Sequence, residues 1–103
     1  MYKLSYFVPL EAKEKTKTAL FEIGAGKFNH YEYCSFEVAG TGQFKALDNA
    51  NPYIGTKGSI EYVTEYKIEM ICADELIKKA VAVLKEAHPY EEVAYEVIKL
   101  ENF

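Results

Sequence analysis

The chain carries two histidines, His30 and His88, and two cysteines, Cys34 and Cys72. By type alone these four would make a zinc set. Their spacing does not support one: there is no CxxC pair and no HxxxH pair on a helix. If 30–34 is extended, His30 and Cys34 stand about 13 Å apart at ~3.3 Å per residue, too far to share an ion. Both cysteines lie among apolar neighbours and read as small buried hydrophobes. What remains for a metal is His30, or a surface pair of His88 with Glu91 or Glu92. That pair is also the one acid–base candidate, with His88 as base and a neighbouring carboxylate to orient it. A histidine closing a helix is equally served by the dipole and by spare carbonyls, so capping is the expected role of His88. Ser5, Ser35 and Ser59 stand in no GxSxG context. No catalytic residue and no cofactor is assigned, and the balance is against an enzyme.

Glycine supplies the other chemistry-bearing pattern. Gly24-Ala25-Gly26-Lys27-Phe28-Asn29 is a broken GxGxxG, but a helix is expected before it and a strand after it. That is the reverse of what a dinucleotide pyrophosphate needs, so nucleotide binding through this motif is rejected. The stretch 40–59, GTGQFKALDNANPYIGTKGS, holds four of the six glycines and shows no period. Structureless connections of this length are uncommon in a compact domain and are usually functional or mobile. Gly40 and Gly42 would expose backbone N–H groups, and Lys45 and Lys57 add charge against the single acid Asp48. Such a loop could cradle an anion. The competing reading is a flexible hairpin that packs on a neighbouring subunit or on nothing.

The elements that must position these groups follow from periodicity. Residues 2–8 alternate, with Tyr2, Leu4, Tyr6 and Val8 on one face. Pro9 and Glu11 suit the first turn of a helix running to about Ile23, with Ala12, Thr16, Ala19, Leu20 and Ile23 inward. Gly24 stops it at positive φ. A second strand is expected over 31–39 and a third over 60–72. A second helix opens at Ala73-Asp74-Glu75, buries Leu76, Ile77, Ala80, Val83, Leu84 and Ala87, and ends before His88-Pro89. The last strand is expected over 92–100. The order β-α-β-β-α-β specifies a ferredoxin-like α+β fold, one four-stranded antiparallel sheet with both helices on one face. The other face is uncovered. Several tyrosines fall on strands, split between the two faces with the assignment open. A tyrosine-rich open face would be a surface suited to association; the competing reading is that tyrosine simply favours strands.

At 103 residues the chain fits one domain, and half its residues are apolar. No run of about 18 apolar residues is present, so no membrane span is expected. The amino-terminal residues lack the features of a secretory signal. A cytoplasmic location with reduced thiols is therefore the expectation. Twelve basic residues face sixteen acidic ones, a net charge of −4, and no basic run exceeds two. A phosphate-binding surface needs clustered cations, so nucleic acid is excluded as a partner.

Several stretches together resemble a known family. Gly24-Ala25-Gly26, Tyr31 and Cys34, Gly40-Thr41-Gly42-Gln43-Phe44, Asn51-Pro52-Tyr53-Ile54-Gly55, Glu65-Tyr66-Lys67-Ile68-Glu69 and His88-Pro89-Tyr90-Glu91-Glu92-Val93-Ala94-Tyr95 are similar to the PII/CutA-like insert domain of the Nif-three-like proteins. Asn29 replaces the third glycine of the first motif and can still take the left-handed conformation; Val93 replaces the proline after HPYEE. The resemblance implies one PII/CutA-like domain over 1–103, of a stand-alone type. It also implies association through sheet edges into trimers or dimers. The flanking segments that carry the family's metal ligands are not in this sequence, so hydrolase activity is not carried over.

The function expected is that of a non-enzymatic binding or regulatory module, a homo-oligomer that takes a small molecule, an anion or a protein. Its candidate ligand-binding residues are Gly40, Gly42, Phe44, Lys45, Lys57, His88, Tyr90, Glu91 and Glu92. The alternative is a metal-binding protein or small metal-dependent hydrolase using His88 with Glu91 or Glu92.

Overall fold

A computed structural model describes all 103 residues, Met1–Phe103. Its elements are β1 (Tyr2–Pro9), α1 (Leu10–Glu22), β2 (Phe36–Lys45), β3 (Ile60–Cys72), α2 (Ile77–Ala87) and β4 (Tyr95–Lys99). The strands form one sheet in the order β2-β3-β1-β4, each neighbouring pair antiparallel. This is the expected ferredoxin-like arrangement. No helix is long and apolar enough to cross a membrane.

The period-two pattern of β1 sets the core. Leu4, Tyr6 and Val8 are fully buried, and register places them opposite Met70, Ile68 and Tyr66 of β3. Ala12, Thr16 and Leu20 of α1 and Ala80 and Leu84 of α2 close over that face. Each fully buried aliphatic side chain contributes about 1.5–3 kcal/mol. Thr16 is the polar member of the stripe. Its hydroxyl donates to the Lys13 carbonyl at 3.0 Å. The Tyr6 hydroxyl must then be the donor in its own 2.9 Å contact with Thr16 Oγ1. Burial pushes the Tyr6 pKa up to about 12 despite that bond.

Several boundaries differ from expectation. Pro9 ends β1 as the residue before α1. The second helix begins at Ile77, so Asp74 and Glu75 lie in the turn that precedes it. The second strand starts at Phe36, five residues late, and runs through the glycines to Lys45. Tyr31 and Tyr33 mimic a strand's alternation for a different reason. Phe28 and Tyr31 bridge around Asn29-His30, and Tyr33, at φ 61°, stacks its ring on Phe21 of α1 at 4.8 Å. Phe21 is therefore buried, while Ala19 and Ile23 are only partly so. Gly42 fits the strand because the Glu65 side chain lies over it, where a Cβ would collide.

The helix-free face is not tyrosine-rich. Register puts Tyr2, Tyr6, Tyr62, Tyr66 and Tyr95 on the helix side of the strands. The uncovered face carries Phe7, Phe36, Val38 and Ile98 among Lys3, Glu65, Lys67 and Glu69. Phe36, Val38 and Ile98 are exposed. Cys72 is buried as expected, whereas Cys34 is half-exposed; both are free thiols.

Candidate functional site

The site begins where the sheet stops being four strands wide. β1 ends at Pro9 and β4 starts at Tyr95, while β2 and β3 run on together to Lys45 and Ile60. The corner left on the helix-free side is enclosed by residues 46–54 and by the turn 88–92. Between them lies a groove of about 690 Å³. Its walls are Phe7, Phe44, Leu47, Pro52, Tyr53 and Ile54; its polar groups include Lys45, Glu65, Tyr90, Glu91 and Glu92.

His88 builds the turn. Its backbone N–H bonds to the Leu84 carbonyl at 2.9 Å and finishes α2. The ring does not cap the helix, contrary to expectation. Nε2–H donates to the Phe7 carbonyl at 2.7 Å, and Nδ1 accepts the Tyr90 N–H at 3.1 Å. That pair of bonds selects the neutral Nε2–H tautomer. Burial holds the His88 pKa below the ordinary histidine range, opposed by the Phe7 carbonyl and the Glu65 charge. In effect the imidazole serves a β1 carbonyl that β4 does not reach.

Tyr90 turns from that anchor into the groove. Its hydroxyl donates to Glu65 Oε2 at 2.9 Å, and its ring lies 6.1 Å from that of Tyr53. Burial raises the Tyr90 pKa, and the hydrogen bond to Glu65 raises it further. Glu91 Oε2 accepts the Asn51 N–H at 2.8 Å and ties the long loop to the turn. Glu92 also lines the groove.

Six of the nine candidate ligand residues therefore meet at one place: Gly42, Phe44, Lys45, Tyr90, Glu91 and Glu92. Gly40 lines a smaller hollow of about 220 Å³ next to it, with Val38 and Lys67. His88 lies behind the lining, and Lys57 is exposed outside it. The 40–59 excursion is shorter than expected, because Gly40 and Gly42 pair in the β2–β3 ladder opposite Glu65 and Val63. They form no open nest of N–H groups, and three carboxylates against Lys45 give the lining the wrong sign for an anion.

The metal and hydrolase readings lose their central residue, because both ring nitrogens of His88 are already engaged by the backbone. His30 is exposed in the loop anchored by the Gly26 N–H on the Ile71 carbonyl, toward the other end of β3. That loop turns at Asn29, so the extended 30–34 spacing does not apply. No three His, Cys, Asp or Glu side chains gather as a metal would need. Glu65 escaped sequence reasoning; the one hint was a strand glycine, Gly42, whose missing side chain leaves it room.

No family model matches the chain. Curated relatives do. A "GTP cyclohydrolase 1 type 2 homolog" of Halalkalibacterium halodurans is 43% identical over 102 residues, covering 99% of this chain and 27% of that protein. The protein of the same name from Bacillus subtilis is 39% identical over 100 residues, covering 97% and 27%. Among solved structures, a Bacillus cereus protein related to NIF3 superposes with a TM-score of 0.84 at 38% identity, covering 98% of this chain and 26% of that one. The divalent cation tolerance protein CutA of Archaeoglobus fulgidus superposes with a TM-score of 0.71 at 20% identity, covering 100% and 87%. The fold is thus that of the PII/CutA-like domains. More narrowly, the chain is a PII/CutA-like domain homologous to one segment of the NIF3-related proteins. It spans about a quarter of the length of the curated relatives it matches.

Proposed function

We propose that this chain is a non-enzymatic binding or regulatory module whose ligand sits in the groove between 46–54 and 88–92. One observation carries the reading. Asn51 to Glu91 and Tyr90 to Glu65 are hydrogen bonds between segments 40 and 25 residues apart, and both flank the same groove. Its volume falls in the range of small-molecule sites, and apolar walls with a few convergent polar groups are their usual lining. The activity in the relatives' name remains a property of those longer proteins.

Association into a homo-oligomer belongs to the same proposal. β2 is an edge strand with an unpaired side, and Phe36 and Val38 stand exposed beside it. Unprotected edges of this kind favour pairing with another chain. Light scattering should give a dimer or trimer mass; a monomer at high concentration would remove this part.

The groove is tested by replacing 47–56 with a short turn. The sheet and helices should survive, with the circular dichroism of the parent. Small molecules from a broad screen that raise the melting temperature of the parent should have no effect on the shortened chain. A screen without any stabilising compound, or equal shifts in both proteins, would count against the groove.

A further inference from the structure

The charge and the walls of the groove together restrict what can enter it. Glu65 is half-buried on its floor, and its one hydrogen-bond donor is the neutral Tyr90 hydroxyl. No Lys or other cation stands within 4 Å of it, whereas two other carboxylates of the sheet, Glu69 and Glu37, are paired with Lys3 and with Lys13 and Lys17 of α1. Lys67, the next cation on that face, stands over the Phe7 ring, 5.9 Å from its centre. Glu91 and Glu92 add two more carboxylates to the lining, and Lys45 is its one cation. Phe7, Phe44, Tyr53 and Tyr90 offer ring faces and edges around them.

Accepting that the groove is a binding site, we infer that it takes an organic cation: an ammonium or guanidinium group carried on an apolar, preferably aromatic, body. The cationic head would pair with Glu65, where partial burial weakens screening by salt and makes a missing counter-charge matter. The body would lie against Phe44, Tyr53 and Ile54, and aromatic faces attract cations as well as apolar groups. An anion meets three carboxylates in this place. A neutral ligand gains the walls but leaves Glu65 without its partner.

Three probes with one body separate these cases: 4-phenylbutylamine, 4-phenylbutanol and 4-phenylbutyrate. Each is titrated into the ¹⁵N-labelled full chain while backbone amide shifts are followed. The amine should bind with roughly millimolar affinity, as expected of so small a ligand, and shift the amides of 44–54 and 90–94. It should bind at least tenfold more tightly than the alcohol, and the acid should not bind. Glu65→Gln keeps an acceptor for the Tyr90 hydroxyl and removes the charge. It should cost the amine about tenfold and leave the alcohol unchanged. If the alcohol or the acid binds as well as the amine, or Glu65→Gln changes nothing, the charge selection is wrong while the groove stands. If no probe shifts the groove amides, the groove itself is not a site and both readings fall.

Discussion

Replacing His88 tests whether the turn that builds the groove is locked as described. His88 is buried, and its ring satisfies the Phe7 carbonyl and the Tyr90 N–H at once. His88→Ala orphans both groups. A hydrogen bond is worth about 1 kcal/mol net, and an orphaned buried group costs about 1–3, so the variant should lose about 2–4 kcal/mol. His88→Gln keeps a donor near Nε2 and should lose about half as much. The pH dependence follows from the lowered pKa. The folded state binds its proton less readily than the unfolded one, so stability is complete above the unfolded value of 6.5 and falls as pH drops below it. The loss is at most about 1.4 kcal/mol per pH unit, and it ends once the folded histidine is also protonated. Urea denaturation between pH 5.5 and 7.5 measures this. The parent should weaken on acidification relative to His88→Ala, whose curve lacks the histidine. Parallel curves, or an alanine variant within ~0.5 kcal/mol of the parent, the range of ordinary surface changes, would refute the lock.

Other residues give independent checks. Gly26→Ala should destabilise by about 2–4 kcal/mol in thermal melts, because Gly26 sits at φ +75° and a Cβ there would lie 2.7 Å from the Cys34 carbonyl and 2.8 Å from the Phe21 ring. Tyr6→Phe removes a donor while Thr16 keeps its bond to Lys13, so the cost should be only about 0.5–1.5 kcal/mol by urea denaturation. Glu37→Gln, which removes the partner of Lys13 and Lys17, should cost under about 1 kcal/mol, and the loss should shrink in high salt.

How far the structure could be read in advance depended on burial. The patterns of β1 and the second half of β3 were legible because Leu4, Tyr6, Val8, Ile68, Met70 and Cys72 all face one core. The stripe of α2 was legible for the same reason. β2 is an edge strand with both faces largely exposed; the alternation of Phe36 and Val38 lapses at Gly40 and Gly42, which look like loop. Tyr31 and Tyr33 extend the alternation for other reasons, Tyr31 for a backbone bridge to Phe28 and Tyr33 for a ring stacked on Phe21 of α1. The site divides along the same line. HPYEE and the 40–59 stretch stood out through turn residues and glycines. Their meeting at Asn51 and Glu91 depends on β1 and β4 stopping short while β2 and β3 continue, which is a property of the sheet. The role of His88 was missed because its partner, the Phe7 carbonyl, lies 81 residues away. Glu65 reads as one more outward acid in an alternating strand. Its register partner is Gly40, and only the fold shows its side chain crossing to the neighbouring Gly42 and accepting from the Tyr90 hydroxyl.

The most direct measurement of the whole account is a map of amide shifts in the labelled protein as a mixed fragment library is added. Shifts that cluster on 42–54, 65 and 90–94, and vanish when 47–56 is replaced by a turn, are the predicted result. Saturable shifts confined to 24–34, or to Phe36, Val38 and Ile98 on the bare sheet, would place recognition elsewhere and contradict it.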